Sequence, residues 1–185
     1  MFDRHFGVWP KGLPHSLTPP ATTLPENLTV AARRFPDKVA IHYYGTAISW
    51  TELDRATDRL AGWLSAVAGV GRGDRVILFM QNSPQFVIGY YAILRANAVV
   101  VPVNTMSKIE ELRHIVADTD AAAAVVGQEM LDVVAPLIGE TPLKHVVVGC
   151  YGDYVREPTD LELPDAVAAP RRPVDGPGMV AWEAV

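Results

Sequence analysis

Between residues 75 and 148 short apolar runs take turns with longer segments of helical period, and this alternation limits the chain to few folds. Arg75–Met80, Val99–Val103, Ala121–Val126 and Lys144–Val148 are the runs. Each is too short for a helix, and their apolar residues are contiguous rather than alternating. Contiguous apolar residues suit strands covered on both faces, as in a parallel sheet. The intervening segments are helical. Ser83 is a natural N-cap with Pro84 at the first helical position, and the segment to about Ala96 is apolar nearly all round. Ser107-x-x-Glu110 reads as a capping box opening a helix with Ile109, Leu112 and Ile115 inside. Met130, Val133, Val134 and Leu137 fall on one face of Glu129–Ile138. The predicted class is α/β, a three-layer, mostly parallel sheet with helices on both faces.

The alternating core is flanked by different material. Residues 1–27 hold Pro10, Pro14, Pro19, Pro20 and Pro25 and no period, which predicts an extended arm lying on something else. Residues 28–68 predict a helix from Leu28 to Phe35 stopped by Pro36, then a hairpin, then a second helix. The hairpin pairs Val39–Tyr44 with Ala47–Trp50 around Gly45-Thr46. Thr51-x-x-Asp54 opens the second helix in capping-box manner, with Leu53, Ala56, Leu60, Ala61 and Leu64 on one face and Gly69, Gly71 and Gly73 at its end. Residues 69–149 form the α/β unit. Residues 150–185, with Pro158, Pro164, Pro170, Pro173 and Pro177, read as loop or linker.

Composition removes several functions. Sixteen Lys and Arg against 21 Asp and Glu give a net charge of −5, without the basic stripe of a nucleic-acid binder. The single cysteine, Cys150, forms no intrachain disulfide or cysteine-based zinc cage and fits a reducing compartment. No run of about 18 apolar residues suggests a spanning helix, and Met1-Phe2-Asp3-Arg4-His5 does not start a signal peptide. The expected location is the cytoplasm, with peripheral membrane contact left open.

Most local motifs have plain readings. Gly69-Val70-Gly71-Arg72-Gly73-Asp74 joins a helix to a strand, the reverse of a dinucleotide fingerprint, and its sixth position is Asp74. Asn27-Leu28-Thr29 matches a glycosylation sequon, but N-capping by Asn27 is the simpler role. His5, His15, His42, His114 and His145 show no metal-ligand spacing. No catalytic residue and no metal site emerges. Ligands of parallel sheets gather outside the carboxyl ends of the strands. Gln81-Asn82-Ser83 and Asn104-Thr105 stand there. Asn82, Ser83, Asn104 and Thr105 are therefore the candidate binding residues, against the alternative that Ser83 caps a helix and Asn104 a turn.

Taken in order, the motifs resemble those of the adenylate-forming (AMP-binding) ligases. Ala47-Ile48-Ser49-Trp50-Thr51-Glu52-Leu53-Asp54 resembles the first core motif of that superfamily. Gly73-Asp74-Arg75-Val76 followed by Gln81-Asn82-Ser83-Pro84 resembles its next strand, loop and helix. Ile93-Leu94-Arg95-Ala96-Asn97-Ala98-Val99-Val100-Val101-Pro102-Val103-Asn104 resembles its second core motif. Asn82–Tyr91 and Trp9–Pro14 look most like the long-chain fatty-acid–CoA ligases. Asn97 stands where the superfamily usually has Gly, and Asn is the next-best residue for a left-handed cap. Asn104 stands where amino-acid-activating relatives more often carry Asp.

The resemblance implies an enzyme that turns a carboxylate and ATP into an acyl-adenylate and pyrophosphate, then passes the acyl group to CoA. ATP, Mg and CoA are implied for a full-length member, fatty acid as substrate, and the remainder of the ligase polypeptide as partner. Such ligases are about three times longer, and their phosphate loop, ribose-binding acid and reactive Lys lie beyond the region matched here. Met179-Val180-Ala181-Trp182-Glu183 resembles the segment shortly before the phosphate loop. The chain is therefore expected to bind no cofactor and to be inactive alone. Apolar surface around Ile41, Ile48, Trp50 and Trp63 is expected to be exposed and to drive self-association. The rival expectation is a complete small non-catalytic α/β binding or interaction domain.

Overall fold

In the computed structural model, which describes residues 3–185, α1 (Leu24–Arg34) leads into a hairpin of β1 (Val39–Tyr43) and β2 (Thr46–Ser49), followed by α2 (Trp50–Ala66). The helix α1 begins four residues before the predicted Leu28. Pro25 sits in its first turn, where a missing N–H costs nothing, and Asn27 lies inside the helix rather than capping it. Tyr44 and Gly45 make the hairpin turn, both at positive φ (43° and 87°), one residue earlier than the predicted Gly45-Thr46. The cap of α2 is Ser49, whose Oγ accepts the Glu52 N–H at 3.1 Å. The cap is thus Ser49, two residues before the predicted Thr51, because β2 runs straight into the helix.

The sheet follows. Its members are β3 (Arg75–Phe79), β4 (Val99–Pro102), β5 (Ala123–Gly127), β6 (His145–Gly149) and β7 (Met179–Ala181). All five are parallel, in the order β4-β3-β5-β6-β7. Between β3 and β4 lies α3 (Pro84–Arg95), and between β4 and β5 lies α4 (Ile109–Thr119). After α3, Asn97 takes φ +60°, with Asn97 N–H on the Leu94 carbonyl and Ala98 N–H on the Ile93 carbonyl, both at 3.1 Å. This is the left-handed cap that Asn at the glycine position predicts. The start of α4 is one residue later than expected. Lys108 N–H donates to Glu111 Oε2 at 2.8 Å, while Ser107 N–H is taken by the Asn104 carbonyl.

The predicted helix Glu129–Ile138 is broken. Only α5 (Leu131–Val134) is α-helical, between 3-10 turns at Gln128–Met130 and Ala135–Leu137. Pro136 has no N–H to donate to the preceding turn, which ends the α pattern. The apolar face survives, with Met130, Leu131, Val134 and Leu137 buried.

Alternate strand residues divide between two cores. Val76, Leu78, Val125 and Val147 face α1, α2 and α3 with Leu28, Leu60, Leu64, Ile88 and Ile93. Ile77, Phe79, Val126, Val146 and Val148 face α4 and α5 with Leu112, Val116, Leu131 and Val134. Each such buried side chain contributes about 1.5–3 kcal/mol of transfer free energy. This two-sided burial is why the strands read as apolar runs. Arg95 locks one layer, holding Asp54 Oδ1 at 2.8 Å, Asp58 Oδ1 at 2.7 Å and Thr29 Oγ1 at 3.1 Å.

Residues 150–185 hold more structure than a linker: a 3-10 turn at Tyr151–Tyr154, α6 (Asp165–Ala168) and β7. Three residues flanked by Gly176, Pro177 and Gly178 carry no readable period, so β7 is invisible in sequence. This segment covers the hairpin: Arg156 N–H donates to Thr46 Oγ1 at 2.8 Å, and Arg156 pairs with Glu52. The expected exposed apolar surface is correspondingly closed. Ile48 is fully buried, while Ile41, Trp50 and Trp63 are half-buried against the same core. At the other end, residues 3–23 contain no buried side chain. Arg4–Val8 makes a 3-10 turn, and Phe6 stacks on His15 with centroids 4.0 Å apart. Met1 and Phe2 of the predicted arm lie outside the described residues.

Candidate binding site at the strand ends

The chain steps from β3 to β4 on one side, then crosses back past β3 to build β5, β6 and β7 on the other. Where connections leave in opposite directions, a crevice opens outside the carboxyl ends of the two strands concerned. Those strands are β3, which continues into Met80-Gln81-Asn82, and β5, which continues into Gln128-Glu129. Gln81 and Asn82 stand between two clefts, one on each side.

The cleft toward β4, of about 290 Å³, brings together three of the four sequence-predicted residues: Asn82, Asn104 and Thr105, with Met80, Gln81 and Phe86. Ser83 is not in its wall. It is buried, and its Oγ accepts the Phe86 N–H at 3.1 Å as the cap of α3. Asn104 Oδ1 accepts the Met106 N–H at 3.0 Å, an Asx turn. The capping alternatives are therefore the ones these two side chains satisfy.

The cleft toward β6, of about 400 Å³, is lined by Tyr43, Tyr44, Gln81, Asn82, Tyr151, Pro164, Ala166 and Val167. Tyr43 and Tyr44 meet edge to face, with centroids 4.8 Å apart. Tyr44 holds a left-handed backbone (φ 43°), which costs a bulky L-residue about 1–2 kcal/mol. Behind the cleft is a polar network. The Tyr151 hydroxyl donates to Glu129 Oε1 at 2.6 Å and accepts the Gln81 N–H at 2.7 Å. It thereby ties the ends of β3, β5 and β6 together. Gly127 makes this possible: a Cβ there would lie 2.2 Å from the Tyr151 hydroxyl and 2.4 Å from Glu129 Oε2. A second tie runs from Gln85 Nε2 to the Cys150 carbonyl at 2.7 Å.

Electrostatics follow from burial. Glu129 Oε2 is buried and has no hydrogen-bond partner among the described residues. Burial pushes the Glu129 carboxyl above its ordinary range, and the Tyr151 hydroxyl bond offsets part of that. Tyr43 is pushed up to about 12, first by burial, then by Tyr44 and the Glu129 charge. Tyr151 is raised by burial, then by its bond to Glu129. Both phenols therefore keep their protons at neutral pH, and the Tyr151 proton is the one donated to Glu129. The strand-end rule pointed to Gln81 and Asn82. It missed Tyr43, Tyr44, Glu129 and Tyr151, which long-range folding brings there. The glycines closing β5 and β6, Gly127 and Gly149, were the available signal.

A parallel sheet with a crevice at its switch point, walled by a hairpin, defines an α/β unit of the kind seen in mononucleotide- and dinucleotide-type folds. The chain belongs to the AMP-binding enzyme family, which matches residues 28–176. It is 30% identical over 156 residues to a long-chain-fatty-acid–CoA ligase of Bacillus subtilis, covering 84% of this chain and 28% of that protein. It is 37% identical over 132 residues to a feruloyl-CoA synthase of Amycolatopsis sp, covering 71% of this chain and 26% of that one. Among solved structures it resembles a long-chain-fatty-acid-CoA ligase from Archaeoglobus fulgidus, with TM-score 0.64, 29% identity, and 72% and 28% of the two chains covered. The chain thus spans about a quarter of the length of the curated relatives it matches.

Proposed function

We propose that this chain is the N-terminal portion of an ATP-dependent fatty-acyl-CoA ligase. The observation that carries this is the match to the Bacillus subtilis ligase across 84% of the chain. The reaction would join a carboxylate to AMP with release of pyrophosphate, and the CoA thiol would then displace AMP. In that enzyme this portion supplies the sheet and the strand-end cleft toward β4, with Asn82 and Thr105 as binding residues, while the remainder of the polypeptide completes the site. Among the described residues no three His, Cys, Asp or Glu come together.

The 185-residue chain alone releases no pyrophosphate on this reading. The test compares the pure chain with the same chain joined to the remaining three quarters of a ligase, each given ATP, Mg and a long-chain fatty acid. Fatty-acid-dependent pyrophosphate from the short chain would sink the claim of inactivity; none from the joined chain would sink the ligase assignment. A second reading has its own support. The feruloyl-CoA synthase, at 37%, and a salicyl-AMP ligase of Mycobacterium tuberculosis, at 35%, exceed the 30% of the Bacillus subtilis ligase. Competition between an alkyl and an aryl carboxylate in the joined enzyme separates the two. The cytoplasm is the proposed location; no helix among the described residues is long and apolar enough to cross a membrane.

A further inference from the structure

We propose that the cleft between the hairpin tip and the ends of β3 and β6 binds an organic cation, an alkylammonium group. Tyr43 and Tyr44 would form its aromatic walls, with Glu129, behind the buried Tyr151, as the countercharge. The inference is independent of the ligase reading and needs no adenylation.

The first observation is the wall. Two half-buried tyrosines, Tyr43 and Tyr44, line it, with the hydroxyl-bonded Tyr151 buried behind, and none of the eight lining residues is Lys, Arg or His. Aromatic faces carry negative electrostatic potential and attract ammonium groups. At about 400 Å³ the cleft falls in the size range of small-molecule sites. The second observation is strain. Tyr44 occupies a backbone region that disfavours its side chain, and the turn that holds it there sets its ring in the cleft wall. Such strain collects where a side chain must be presented.

The third observation is charge. Glu129 stands behind Tyr151 and does not itself line the cleft. Its field reaches both phenols. One carboxyl oxygen has a single donor, the Tyr151 hydroxyl, and the other has none among the described residues. A partly compensated buried carboxylate is costly, and a nearby cation relieves that cost. An anion would meet both this charge and the aromatic faces unfavourably. A neutral apolar ligand could fill the cleft but would not use Glu129.

The test titrates the 185-residue chain with choline and, separately, with 3,3-dimethylbutan-1-ol, its uncharged isostere. Binding is read from the amide NMR signals of Gln81 and Asn82; the former bonds to Tyr151. Choline should shift both saturably, about tenfold more tightly than the isostere. Glu129→Gln and Tyr44→Leu should each weaken choline several-fold, Tyr44→Phe should preserve it, and Glu129→Gln should leave the isostere unchanged. Tyr44 makes no hydrogen bond in the network, and Tyr44→Phe keeps its packing on Tyr43 and the core, so the Phe variant controls for any change of fold in Tyr44→Leu. Equal affinity for the isostere would show an apolar slot only and overturn the proposal. Absence of shifts, or choline binding untouched by Glu129→Gln, would overturn it as well.

Discussion

The two clefts flanking Gln81 and Asn82 share a wall and differ in what their polar groups are doing. Toward β4, the side chains of Ser83 and Asn104 are spent on backbone N–H groups two or three residues away. Toward β6, the polar contacts join residues far apart in sequence: Gln81 with Tyr151 at a separation of 70, Glu129 with Tyr151 at 22. Local contacts shape a turn and can be replaced piecemeal. Long-range contacts hold the strand ends in register and fail together. The difference predicts that the β6 side is the more fragile and the more responsive to solution conditions.

Gly127→Ala should do the most damage. Its methyl group would arrive within 2.2 Å of the Tyr151 hydroxyl, and overpacking of this kind costs about 1–3 kcal/mol. Chemical denaturation measures it. Adding Tyr151→Phe removes one of the two clashing oxygens and leaves Glu129 Oε2 at 2.4 Å, so the double variant should be less destabilised than the sum of the singles but not fully relieved. Strict additivity would mean that Gly127 is not reserved for the network, and the contrast between the clefts would lose its main support. The β4 side should give less. Ser83→Ala should cost about 1 kcal/mol as a lost helix cap. Asn104→Ala, at an exposed turn, should stay within about 0.5 kcal/mol. If Asn104→Ala proves the more costly of the two, Asn104 holds more than its own turn.

The same contrast explains what sequence reading could reach. Val76, Ile77, Leu78 and Phe79 announce a strand buried on both sides because every one of them is apolar. Ser83-Pro84 announces a helix start because both act within one turn. Asn97 announces a left-handed cap because few residues tolerate that backbone. Tyr151 and Glu129 announce nothing: each looks like ordinary packing or a solvated acid until the order β4-β3-β5-β6-β7 sets them beside Gln81. β7 was hidden for a related reason, since three residues after Gly176-Pro177-Gly178 become a strand only by docking on β6. Pro136 was legible as a breaker, yet the apolar spacing around it argued for an unbroken helix, and the missing N–H prevailed.

The smallest expected change is the most specific to the β6 side. Glu129 has a folded-state pKa raised above its unfolded value, chiefly by burial. The folded chain therefore holds that proton more tightly than the unfolded chain does. The resulting stability is fully present below the unfolded carboxylate value of about 4.3 and is lost as pH rises through the raised folded value. Glu129→Gln cannot ionise, so its stability relative to the parent should improve as pH climbs through that window and level off above it. Tyr151 and Tyr43, the groups facing Glu129, stay protonated throughout. Asp153, also raised by burial, is common to both proteins and cancels in the difference. Thermal melts of the pair from mildly acidic to neutral pH measure that difference. A gap that does not change with pH would mean the carboxyl is solvated in solution, and would remove the electrostatic half of the distinction between the clefts. A gap that closes on addition of choline would tie the same carboxyl to the cation cleft.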